Sequence, residues 1–155
     1  MRLVKLASGL AVVLGLVWLV AAPIGPVPGV FIGGTSTAPP QTWEDTSRID
    51  EIRLKVPGLI PRVVIIWVID YAGELYILGM KGAGWTGMIG EGAAVEVRVG
   101  DRTYALRATP VREGLRPIVE AYKAKYEPGY PDLVARLPPV DQAAEVAAVF
   151  WLERP

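Results

Sequence analysis

The sequence predicts a mainly β domain with one or two helices, a small antiparallel barrel, preceded by an N-terminal transmembrane helix. Three observations carry this expectation. Six strand-type segments follow one another between residues 52 and 152, mainly as hairpins. A single stretch, residues 115 to 126, places apolar side chains at clear helical spacing. No charged residue occurs between Lys5 and Glu44.

Composition narrows the chemistry before any motif is read. The 155 residues include 17 glycines and 14 prolines, which marks a turn-rich unit of one domain plus a short appendage. Sixteen basic residues balance sixteen acidic ones, so net charge gives no reason to expect nucleic acid as a partner. The chain has no His and no Cys. That excludes Ser-His-Asp and Cys-His nucleophile systems, zinc or haem held by His or Cys, and a disulfide scaffold. No Ser follows Ser47, so the folded part beyond it offers no serine nucleophile.

The elements follow in chain order. Leu6 to Ala22 reads LASGLAVVLGLVWLVAA. With Leu3 and Val4 it is long enough for a helix to rise about 30 Å, one hydrocarbon thickness. Trp18 falls near its outer end, where aromatic side chains favour the interface, and Pro23, Pro26 and Pro28 stop the helix. Arg2 and Lys5 place the N-terminus in the cytoplasm and the rest outside, as a single-pass protein of the cell membrane. Val20-Ala21-Ala22 has the look of a signal-peptide cleavage site, but Pro23 directly after it disfavours processing. The expected organisation is an anchor (alternatively a signal peptide) over residues 1–24, a Pro/Gly-rich linker over 25–42 and the barrel domain over 43–155. Nine of the residues from 23 to 42 are Pro or Gly, so no regular element is expected there.

Within the domain, Ile52, Leu54 and Val56 alternate with Arg53 and Lys55, a strand with one wet face. Val63 to Ile69 is a continuous apolar run, mostly β-branched, suited to the middle of a sheet. A turn at Asp70 to Gly73 leads into Glu74 to Leu78 as the second arm of a hairpin. The stretch Gly79 to Gly92 reads as a glycine-rich connection. Ala94 to Val99 and Arg102 to Val111 form a tight hairpin about Gly100-Asp101. The helix carries Leu115, Ile118, Val119, Tyr122 and Tyr126 on one stripe, with Pro117 tolerated in its first turn. Lys123 and Lys125 suit its C-terminal end, where cations complement the dipole. A short second helix is expected over Asp132 to Leu137 and a closing strand over Val146 to Leu152.

Gly82 to Gly87 fits G-x-G-x-x-G, but the next strand begins near Ala94, leaving no room for the long helix of a dinucleotide crossover. The loop carries another reading. Lys81 stands at its head, among backbone N–H groups that small residues leave open to an anion, and Trp85 can cover an aromatic ring. The plain alternatives are a solvated loop charge and a core aromatic. Arg62 opens the central strand, and Arg98, Arg102 and Arg107 lie on the later hairpin. Arginine suits bidentate phosphate binding, but Arg98 and Arg102 are read as charges on outward solvated faces.

The runs PRVVIIWVIDYAGELYILGMKGAGW and AAVEVRVGDRTYALRATPV, followed by a helix ending AYKAKY, carry a family resemblance. Over about residues 48 to 126 the chain resembles the FMN-binding split-barrel superfamily, which includes pyridoxamine-phosphate-oxidase-like proteins and deazaflavin-dependent nitroreductases. Within it, the chain looks like an uncharacterised bacterial branch. The resemblance implies a split barrel acting as a homodimer, with FMN or a deazaflavin between subunits. It implies a cofactor-binding set of Arg62, Lys81, Trp85 and Thr86. In it Arg62 matches the strand beside the isoalloxazine, Lys81 the phosphate loop, and Trp85 the segment next to the phosphate. No catalytic residue is assigned. Two functions from different classes follow. One is a membrane-anchored flavin- or deazaflavin-dependent oxidoreductase that transfers hydride to a small substrate. The other is a non-catalytic envelope barrel that binds a small lipophilic ligand or a protein partner without cofactor.

Overall fold

The computed structural model describes residues 23, 27–43 and 46–155. The anchor expected over residues 3–24 lies outside the described residues save Pro23. Among the described residues no helix is long and apolar enough to cross a membrane.

Seven strands form the sheet: β1 (Thr35–Ser36), β2 (Glu51–Val56), β3 (Arg62–Tyr71), β4 (Glu74–Met80), β5 (Ala93–Val99), β6 (Arg102–Val111) and β7 (Ala147–Glu153). Four α-helices are described: α1 (Gly84–Ile89), α2 (Leu115–Tyr126), α3 (Pro131–Val134) and α4 (Val140–Val146). The strand order is β1-β6-β5-β2-β3-β4-β7, and β6 also pairs with β7, so β2 to β7 close into a six-stranded antiparallel barrel. Its two ten-residue strands each serve two partners. Arg62 to Trp67 of β3 pair with β2 and Val68 to Tyr71 with β4. Likewise Arg102 to Ala108 of β6 pair with β5 and Arg107 to Val111 with β7. The barrel is thus two half-sheets hinged on the long strands.

Alternation decides what each face buries. Ile52, Leu54, Val56, Val95 and Val97 point into the barrel with Val68, Leu75, Ile77, Phe150 and Leu152. The opposite face of β3 and β4 is covered by α2, where Ile69, Ile118, Tyr122, Tyr126 and Val149 form a second core. Trp67 stacks flat on Tyr126, ring centroids 4.1 Å apart.

The six predicted strands and the long helix stand where periodicity put them. Four local features differ. The glycine-rich connection contains a helix, α1. The expected second helix is the four residues of α3, and α4 follows it where no element was expected. The linker carries regular structure. Gly29 exchanges two backbone hydrogen bonds with Val63 (2.9 and 2.7 Å), and β1 pairs in parallel with Arg102 and Thr103. Between these points the chain crosses the outer face of β2 and β5 as a strap. The Ile32 carbonyl accepts hydrogen bonds from the Arg98 and Arg53 guanidiniums at 3.2 and 3.5 Å. The Thr103 hydroxyl donates to the Gly33 carbonyl at 2.6 Å. Gly33 and Gly34 adopt positive φ (68° and 87°), and a side chain at Gly33 would meet Arg98 Nη1 at 2.6 Å. Ile32 is buried by this contact. Arg98, plausible from sequence as a solvated charge, is therefore a strap-holding residue.

Candidate functional site

The loop after β4 is built around Thr86. Its hydroxyl lies 2.7 Å from the Ala83 carbonyl, 2.9 Å from that of Met80 and 3.3 Å from that of Lys81. The residue is buried, and the hydroxyl gathers the turn that starts α1. Trp85 turns inward, packs on the barrel core and faces Phe150 with ring centroids 6.0 Å apart. Gly79 makes room for it: a side chain there would overlap the Trp85 ring and meet Thr86 Cγ2 at 2.9 Å. Met88 and Ile89 join the same core, so α1 closes one end of the barrel. Three glycines in or next to six helical residues disfavour a helix on propensity alone. Burial of Trp85, Met88 and Ile89 overrides it.

The other side of α1 is bare backbone. Gly87 has open space where a side chain would stand. It lines, with Gly90, Ala147 and Ala148, a groove of about 420 Å³ between α1, β7 and the end of β6. That volume lies in the range of small-molecule sites. Lys81 lies on its rim, with Nζ donating to the Ala144 carbonyl at 2.7 Å, an exposed bond. Arg112 lies on the rim as well and forms an exposed ion pair with Glu91. The groove therefore carries two exposed cations beside a group of small residues.

The four residues named from sequence are distributed around α1 rather than gathered at one point. Lys81 and Thr86 line the groove. Trp85 lies within the barrel core. Arg62 is not among the groove's lining residues: its Nη1 stands 2.6 Å from where a side chain of Gly84 would begin, and its Nε is buried without a hydrogen-bond partner among the described residues. Sequence reasoning missed Arg112 and Glu91. The only signal for Arg112 is its place immediately after β6; its position on the same groove as Lys81 follows from β6 pairing with β7, which local periodicity does not encode.

Two further polar clusters are structural. Lys125 Nζ donates to the carbonyls of Val68, Ile49 and Thr46 at 2.7, 2.8 and 3.0 Å. Burial draws its pKa below the ordinary lysine value, opposed by the charges of Asp50 and Asp70. Lys123, the other cation expected to serve the helix dipole, donates to the Pro138 carbonyl at 2.7 Å. Burial pushes the hydroxyls of Tyr122 and Tyr126 well above the usual tyrosine range.

Comparison with family models and with curated proteins finds no match. Solved structures do match. The structure of an FAD- and haem-binding protein from Mycobacterium smegmatis superposes with a TM-score of 0.52 at 16% identity, over 70% of this chain and 62% of that one. The fold is a split barrel. A NimC/NimA family protein from Clostridium acetobutylicum matches at TM-score 0.48 and 20% identity, over 66% of this chain and 73% of that one. A protein of unknown function from Agrobacterium tumefaciens matches at TM-score 0.48 and 16% identity, over 76% of this chain and 58% of that one. This chain thus spans about three fifths of the M. smegmatis and A. tumefaciens proteins.

Proposed function

We propose that this split barrel is a membrane-anchored protein, its domain outside the cytoplasm, that binds a flavin or deazaflavin nucleotide in the α1–β7 groove and acts as an oxidoreductase on a small substrate. One observation carries the reading: a groove of about 420 Å³ combines a floor of Gly87, Gly90, Ala147 and Ala148 with two cations, Lys81 and Arg112. A flat ring needs a wall without projecting side chains, and a phosphate needs charge at one end of it. The likeness to the FAD- and haem-binding protein from M. smegmatis adds support for a flavin. Haem held by His or Cys is unavailable to a chain with neither residue.

In this reading Lys81 releases the Ala144 carbonyl and takes the phosphate, and Arg112 turns from Glu91 to the same anion. Thr86 and Trp85 act from behind, holding the loop in shape, and Arg62, outside the groove lining, supports the head of α1. When bound, the cofactor supplies hydride transfer. The protein's share is to orient it and exclude water, with Phe150 and Leu115 as the apolar sides of the groove. The family likeness supports a homodimer, which sedimentation of the detergent-solubilised chain tests: a clean monomer at high concentration contradicts it.

The mutational test is direct. Lys81→Ala lowers FMN or deazaflavin affinity about tenfold, the worth of one charge-assisted hydrogen bond. Gly87→Trp, at a position with open space around it, fills the groove and abolishes binding while thermal unfolding shows the barrel intact. Unchanged affinity in both variants removes the groove as the site.

A second reading has an observation of its own. Leu78, Val119, Tyr122, Leu137 and Pro138 line an apolar crevice of about 220 Å³ between β4, α2 and α4. It favours a non-catalytic barrel that holds a small lipophilic ligand, and binding of an apolar fluorophore displaced by Val119→Trp tests it.

A further inference from the structure

The turn between β2 and β3 reads Pro57-Gly58-Leu59-Ile60-Pro61, and it is apolar where it is most exposed. Leu59 is 104% and Ile60 71% exposed. The turn is braced from both ends, since Pro57 and Pro61 restrict its backbone. Gly58 lies against α1, where a side chain would meet Met88 Cε at 2.6 Å. Two large hydrophobic side chains are thus presented to the outside on a stiff support.

A second apolar group stands beside them. Val27 is 61%, Phe31 53% and Val30 46% exposed, the last two on the strap and Val27 just before it. The paired hydrogen bonds between Gly29 and Val63 fix the strap to the foot of this turn. Phe31 is two residues from Gly29 and Ile60 three from Val63, within about 7 and 10 Å of chain respectively. The segment that carries Val27, Val30 and Phe31 is therefore tied to the barrel at the end where this turn stands. Scattered exposed hydrophobics are ordinary; a group of this kind marks a contact surface.

The chain itself says what covers it. The apolar run read as the anchor ends at Ala22, five residues before Val27. Five residues span at most about 17 Å, so a membrane-embedded Ala22 holds this end of the barrel at the lipid surface. The segment between Lys5 and Glu44 carries no charge that would resist such contact.

We propose that the Leu59-Ile60 turn, with Val27, Val30 and Phe31, inserts into the interfacial layer of the bilayer and seats the barrel on the membrane. This rests on the anchored reading above. Apolar side chains at the headgroup–acyl boundary gain burial without spanning, and together with the anchor they fix the orientation of the domain.

The absence of cysteine makes the test clean. Full-length Leu59→Cys and Ile60→Cys chains are labelled with an environment-sensitive fluorophore and reconstituted in phosphatidylcholine–phosphatidylglycerol vesicles. Asp101→Cys serves as the control. Its side chain is 99% exposed, and it lies at the other end of β2, because Arg53 pairs with Arg98 while Val56 pairs with Arg62. Emission at 59 and 60 is expected to shift to the blue and to be largely lost with spin-labelled lipid, while 101 keeps its aqueous spectrum. Vesicle-bound protein whose probe at 59 behaves like that at 101 overturns the proposal and leaves the anchor standing. A blue shift that spin-labelled lipid does not quench also overturns it, in favour of a second copy of the chain on the same surface. Protein that fails to float with vesicles overturns the anchor and this surface together. Both labelled positions are solvent-exposed, and unchanged thermal unfolding of the variants confirms that the fold is retained.

Discussion

The Tyr126 hydroxyl accepts a hydrogen bond of 2.9 Å from the backbone amide of Val68, in the middle of the strand where β3 changes partners. The same oxygen lies 2.6 Å from the Asp50 carbonyl and 2.7 Å from that of Val68. At this residue β3 leaves β2 for β4, and its ladder bonds are interrupted. The helix α2 supplies the missing partner and so stitches the two half-sheets together.

Tyr126→Phe keeps the ring stacked on Trp67 but leaves a buried amide without an acceptor. The expected loss is about 1–3 kcal/mol of stability, the desolvation cost of one orphaned group. Denaturant unfolding checks it, and a change below a few tenths of a kcal/mol contradicts the stitch.

Glu74 joins the strand ends of the barrel. It accepts from Arg154 Nη1 at 2.7 and 2.8 Å and from Trp151 Nε1 at 3.2 Å. Burial opposes its ionisation, but the bonds from Arg154 and Trp151 and the charge of Arg154 outweigh this and hold the carboxyl below its ordinary value of 4.5. A depressed folded-state pKa contributes stability above the unfolded value and loses it as pH falls through the folded one. Glu74→Gln is therefore less stable than the parent by about 1 kcal/mol at pH 7, and the gap closes as pH falls below 4.5. Thermal melts of both chains between neutral and acid pH measure the difference; a gap that stays constant contradicts the assignment.

Gly79→Val places a branched side chain where the Trp85 ring lies. Overpacking of this kind costs about 1–3 kcal/mol and displaces α1. The thermal midpoint falls and Trp85 becomes accessible to acrylamide, whereas an unchanged midpoint would mean that α1 is not held by Trp85.

Arg98→Ala removes the guanidinium beneath the strap. Its exposed partner Asp101 contributes little, so the expected effect is local. Residues 29 to 37 become sensitive to limited proteolysis while the barrel's melting temperature moves little. Equal resistance of parent and variant shows instead that the backbone bonds of Gly29 and β1 suffice.

What the sequence reveals and what it hides divide along physical lines. The strands were legible because Ile52, Leu54 and Val56, or Val95 and Val97, mark a buried face with period two. Ile118, Val119, Tyr122 and Tyr126 mark the long helix in the same way. The helix α1 was hidden because its glycines argue against it, and only the barrel end that receives Trp85 makes it form. The strap was hidden because its bonds run through backbone atoms and through Thr103, Arg53 and Arg98, which carry no periodic signal. Lys81 was legible as a loop cation. Arg112 was not, since it comes to the same groove only when β6 and β7 close the barrel.

The measurement that bears most directly on the central claim is a spectral titration of the purified full-length chain in detergent with FMN and with a deazaflavin nucleotide. The account predicts saturable absorbance shifts and quenching at micromolar ligand with one of them, weakened about tenfold by Lys81→Ala. No saturable change with either would contradict a flavin site in the α1–β7 groove and favour the reading that rests on the apolar crevice beside Tyr122.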